Sequence, residues 1–157
     1  MKKVLVILML LTLLCAAALA EETVLWQGYD LQATWLTTDS ADINIPNLRA
    51  DGQFALVRLE PAEGTVGYEK VNEHAGDDLF IRLASGEKMP LGTVLFHNLI
   101  QPEGGGFPSI NPEQENFDAL FFLEGGTEAD LDGAMLVVLD GETEQTLSLS
   151  AISREKP

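Results

Sequence analysis

The segment Glu128-Ala129-Asp130-Leu131-Asp132-Gly133 sets carboxylates at alternate positions and a glycine at the sixth, as in the first half of a calcium-binding loop. Its first position holds Glu128 where such loops carry Asp. Its twelfth holds Leu139 where a bidentate Glu is needed. The coordination sphere is therefore short by two oxygens, and the segment reads as an acidic loop between strands, with a looser Ca²⁺ site as the alternative. His74 and His97 are the only imidazoles, and with neighbouring carboxylates they could bind Zn²⁺. They lie 23 residues apart, and neither has a histidine partner at i,i+2 or i,i+4. A surface His74 and a packed or edge-facing His97 are expected instead. No metal-binding, cofactor-binding or catalytic residue is assigned.

Nucleophilic chemistry has no better footing. The chain holds no Gly-x-Ser-x-Gly, no Ser-x-x-Lys and no P-loop, and only His74 or His97 could serve as the base of a triad. Two carboxylates can cleave a glycosidic bond, but 25 acidic residues guarantee some close pairs by chance. Trp26, Tyr29 and Trp35 fall within ten residues and could stack on a sugar ring or a peptide. Trp35, in phase with Leu31 and Ala33, is expected in the core.

The elements that would position these groups are short alternating runs divided by turn residues, with no amphipathic helix of twelve or more residues. Strands are expected near Thr23–Gln27, Leu31–Thr37, Gln53–Leu59, Thr65–Val71, Leu79–Leu83, Thr93–Ile100, Phe117–Leu123, Ala134–Leu139 and Thr146–Ser150. Gln53–Leu59 is apolar on both faces except at Gln53 and Arg58, as in a central strand. Asp140-Gly141 is a tight-turn dipeptide that makes the last two strands a hairpin. Two long loops remain. Gln101–Asn116 carries Pro102, Pro108, Pro112 and Gly104-Gly105-Gly106, which exclude a central strand. Glu124–Gly133 carries Gly125-Gly126 and four carboxylates. The resulting expectation is an all-β chain, a single antiparallel β-sandwich of about nine strands with less than about 15% helix.

The first twenty of the 157 residues read as a secretory signal peptide. Lys2 and Lys3 precede the apolar run Val4–Leu14, and Ala18-Leu19-Ala20 has the form of a cleavage site before Glu21. Residues 21–157 then form one domain. Cys15 is the only cysteine, and bulky Leu14 before it argues against lipidation. Without Cys15 the exported domain has neither disulfide nor thiol chemistry. Losing Lys2 and Lys3 takes the formal charge from −16 to −18. From Met89 to Ser153 there are eleven Asp and Glu and no Lys or Arg. That distribution excludes nucleic acid and anionic membrane surfaces as partners. It fits a solvated acidic face, or a cationic partner as the sharper reading.

Strand order and spacing resemble those of the small secreted immunoglobulin-like domains of unknown function found in bacterial lipoproteins and exported proteins. The likeness rests on Gln53–Leu59, on Asp78-Leu79-Phe80-Ile81-Arg82-Leu83-Ala84-Ser85-Gly86, and on Ala119-Leu120-Phe121-Phe122-Leu123 with the strands after it. It implies an immunoglobulin-like sandwich placed outside the cytoplasm, secreted or periplasmic, and no catalytic residues. The function expected from the sequence is non-enzymatic: an exported module that binds a protein or glycan or supports the cell envelope. The alternatives are a secreted carboxylate-dependent glycan hydrolase and a Ca²⁺-stabilised binding module.

Overall fold

The alternating runs become strands in a computed structural model that describes residues 23–43 and 51–157. In chain order they are β1 (Thr23–Trp26), β2 (Tyr29–Thr37), β3 (Gly52–Pro61), β4 (Val66–Gly67), β5 (Leu79–Arg82), β6 (Lys88–Phe96), β7 (Leu99–Ile100), β8 (Ser109–Ile110), β9 (Glu113–Gln114), β10 (Phe117–Glu124), β11 (Met135–Asp140) and β12 (Thr143–Ser148). One helix, α1 (Tyr68–Asp78), lies between β4 and β5. The described residues are half strand and 16% helix. The signal segment, its cleavage site and Cys15 lie outside the described residues. Among those residues no helix is long and apolar enough to cross a membrane.

Eight strands form one antiparallel sheet in the order β1-β2-β3-β10-β6-β5-β11-β12, and it curls until it is nearly a barrel. Hydrogen bonding therefore joins the expected strands in one continuous ladder where two separate sheets were expected. The reason lies in β6. Its first part pairs with β5 through Lys88–Pro90, and its second pairs with β10 through Leu91 and Thr93–Phe96. A single nine-residue strand thus serves both halves, and the register slips between Leu120 and Phe121 where the ladder bends.

The two edges of the sheet meet side chain to backbone. Gln145 on β12 accepts from the Leu25 N–H (3.0 Å) and donates to the Leu25 carbonyl (2.7 Å). Its amide thus stands in for the peptide group of a neighbouring strand. The β1–β2 hairpin turns on Gln27 and Gly28, both at positive φ, and Gln27 is held there from three sides. Its N–H donates to Asp140, its side-chain amide donates to Asp78, and its carbonyl accepts from Lys70.

Inward-facing side chains alternate as the sequence implies. Ala55, Val57 and Leu59 on β3 face Phe117, Ala119 and Phe121 on β10, and Leu79, Ile81, Leu136 and Val138 complete the wall. Each large side chain so buried stabilises by roughly 1.5–3 kcal/mol. Trp26 is fully buried here, its indole N–H donating to Asp78 (2.8 Å). A second, smaller cluster covers the opposite face of β2, β3 and β10, where Trp35, Ile43, Phe54, Leu56 and Leu120 pack together. Trp35 belongs to this cluster because β2 slips register between Ala33 and Trp35. One extra residue reverses the alternation, so Leu36 points inward in its place.

The strand expected over Thr65–Val71 is corrected. Only Val66 and Gly67 pair, with β9, and the chain then turns into α1. That helix buries just Val71 and Ala75, one i,i+4 pair, and its N-cap Gly67 makes no side-chain bond. Neither a stripe nor a cap marked it.

Candidate functional site

On the outer face of the sheet, two charged residues interrupt the two most apolar strands. Arg58 on β3 and Asp118 on β10 are register partners, so strand alternation places them side by side. Arg58 donates to both carboxylate oxygens, Nε to Oδ1 at 2.8 Å and Nη2 to Oδ2 at 3.1 Å. His97, just past the end of β6, brings Nε2 to 2.7 Å from Oδ2. The Asp118 side chain is only 4% exposed, whereas His97 is 42% exposed. Burial pushes the Asp118 carboxyl up, but the hydrogen bonds and positive charge of His97 and Arg58 outweigh it and hold the group below its ordinary value. The guanidinium neutralises the buried carboxylate, and the contact with Oδ2 orients the imidazole.

Beside it lies a shallow pocket of about 150 Å³ lined by His97, Asn98, Glu115 and Asn116. It offers one carboxylate and one imidazole and is lined by no hydroxyl. Paired carboxylates of the kind glycoside hydrolysis requires do not converge in it. The buried Asn116 Oδ1 has no hydrogen-bond partner.

Between His97 and Asp118 the chain leaves the sheet and returns. This excursion is the expected long loop, and it carries more order than a loop. Leu99 and Ile100 pair with Ile110 and Ser109, making a two-stranded arm whose tip holds Gly104-Gly105-Gly106 and Phe107. Its root is fixed by Gln114, a fully buried side chain. Gln114 accepts from the Asn98 N–H (3.0 Å) and donates to the carbonyls of Asn98 (3.2 Å) and Asn111. Asn111 N–H closes the frame on the Asn98 carbonyl (3.1 Å). A second tie joins Tyr68 N–H to the Pro112 carbonyl (2.9 Å).

The arm's surface is unlike that of the other described residues. Phe107 is 96% exposed, and Leu99, Ile100 and Ile110 are exposed with it. Among the described residues the only other exposed large apolar side chain is Leu25. Isolated apolar residues on a surface are ordinary, but four on one twelve-residue projection form a patch.

The other residues singled out from the sequence do not join this site. Asp130 accepts from the Thr127 N–H (2.7 Å) and hydroxyl (2.9 Å), closing a capping box on the 3-10 turn Glu128–Leu131. Those bonds lower its carboxyl pKa. They also turn it toward its own turn, so Glu128, Asp130 and Asp132 do not converge. Among the described residues no three His, Cys, Asp or Glu side chains cluster as a metal site. His74 sits on α1, 4.0 Å from its neighbour Glu73, away from any such cluster. Trp26 and Trp35 are buried, and Tyr29 is held by Gly67 and covered by Lys70, so the three aromatics form no stacking platform.

What the sequence reading missed was the link between Arg58 and Asp118. Its signal was present, one opposite charge in the middle of each of two apolar runs. Compared with known proteins, the chain matches no family model, no curated protein and no solved structure.

Proposed function

We propose that this protein is an exported, non-enzymatic β-module that binds another macromolecule, and that the arm from Leu99 to Ile110 is the surface it presents. The observation that carries this reading is the concentration of exposed apolar side chains on a projection whose base is tied together by Gln114 and joined to β4 and the start of α1. A rigid root lowers the ordering cost of binding, and an exposed aromatic supplies contact area. Export rests on the segment ending at Ala20 and on the resemblance to secreted immunoglobulin-like domains. The structure agrees with that resemblance in being mostly antiparallel β, with its eight main strands in one curled sheet.

Affinity capture from the envelope fraction of the producing cell tests the reading. Wild-type protein is expected to retain a discrete partner that the Phe107→Ser/Ile110→Ser variant does not retain. Both side chains are exposed, so the variant should keep its circular dichroism spectrum and Tm. Equal recovery on both would refute the proposal.

A further inference from the structure

The arm's chemistry narrows the kind of partner, given that the arm is the binding surface. Residues 98–117 carry Glu103 near the tip, Glu113 and Glu115 at the root, and no Lys or Arg. Arg58, the guanidinium nearest the root on β3, is closed onto Asp118. The apolar arm therefore carries one carboxylate near its tip and two at its root with no basic residue among them, and it belongs to a chain of formal charge −16. A lipid surface is a poor match, because the arm has no basic residue to meet headgroups and anionic lipid would repel it. A second copy is a poor match as well, since two such arms would bring like charges together.

From these observations we infer that the arm docks into an apolar pocket of a protein whose rim is basic. Phe107, with Ile110 and Leu99 behind it, fills the pocket, and Glu103, Glu113 and Glu115 face Lys or Arg around it. Gln114 keeps the hairpin upright before contact, so the partner receives a preformed element. Contact between the apolar side chains would set the lifetime of the complex. The carboxylates would set its rate of formation and its salt dependence.

The test places the photoreactive residue benzoylphenylalanine at position 107 in the full chain and irradiates it in the envelope fraction. The expected product is an adduct with one protein whose crosslinked peptide lies beside Lys or Arg. With that partner purified, the dissociation constant should rise by about tenfold or more between 0.05 and 0.5 M NaCl. Glu103→Lys should weaken binding further and flatten the salt response, while Phe107→Ser should weaken it about thirtyfold at every salt concentration. Binding that ignores salt, or an adduct on an acidic peptide, overturns the basic rim while leaving the arm as the binding surface. Adducts with lipid, co-sedimentation with phosphatidylcholine vesicles with or without phosphatidylglycerol, or adducts with a second copy overturn the protein partner. Absence of any adduct, with unchanged capture by Phe107→Ser, overturns the arm itself and the proposed function with it.

Discussion

Asp118 shows how one residue ties together the sheet and the root of the arm. Its carboxylate is buried, receives Arg58 from β3, and receives His97 from the point where the chain leaves β6. Removing the charge leaves the guanidinium without its partner. Breaking a buried pair this way costs about 3–5 kcal/mol. Arg58 retains some exposure, which reduces the expectation for Asp118→Asn to about 2 kcal/mol at pH 7. The pH dependence has a definite sign. The folded carboxyl lies below the ordinary value of 3.8, so its stabilisation is complete above that value. It is lost as pH falls through the lower folded value. Urea unfolding of wild type and Asp118→Asn should therefore differ most near neutral pH and converge in strong acid. A difference that stayed constant down to pH 2 would mean that the carboxylate's charge has no part in it.

At the scale of elements, the seam between β1 and β12 depends on Gln145 more than on any backbone ladder. Its amide satisfies both the N–H and the carbonyl of Leu25, and an unsatisfied strand edge invites pairing with another chain. Gln145→Leu should cost about 1–2 kcal/mol and expose that edge. The expected result is a concentration-dependent dimer in analytical ultracentrifugation, which Leu25→Pro reverses by removing the N–H. A strictly monomeric Gln145→Leu protein would show that the seam is closed by packing alone. The strands themselves were legible in the sequence because alternation and turn residues act over a few positions. Asp140-Gly141 and the run Phe117–Leu123 fall where local physics puts them. Closure was not legible, since β1 meets β12 across 120 residues through a side chain. Trp35 is buried as expected but on the face opposite Leu31, because one unpaired residue in β2 reverses the faces after it. As for the site, Arg58 and Asp118 were visible as exceptions within apolar runs. Their pairing needed the strand order, and the arm's root needed the contacts of Gln114, which spacing does not encode.

For the molecule as a whole, the governing quantity is uncompensated negative charge. Two of the eleven carboxylates between Met89 and Ser153 have guanidinium partners, both from outside the segment: Asp118 with Arg58, and Glu144 with Arg82. The Arg82 pair bridges β5 to β12 across β11 at the surface, where salt weakens it. Of the lysines, Lys70 is engaged on the Gln27 carbonyl, while Lys88 lies over the Phe80 ring and adds its charge to that of Arg82 near Glu144. Folding thus gathers like charges that the extended chain keeps apart. Monovalent salt screens them over about 8–10 Å near physiological strength, so NaCl between 0.05 and 0.5 M should raise Tm despite weakening the surface pair. Calcium separates screening from binding. Because Asp130 is turned onto Thr127, millimolar CaCl₂ at matched ionic strength should add nothing to Tm. Asp130→Asn, which keeps an oxygen acceptor for Thr127, should then change Tm little, and equally with and without calcium. A calcium-specific rise in Tm that Asp130→Asn abolishes would instead require Glu128, Asp130 and Asp132 to leave their present arrangement and close around the ion.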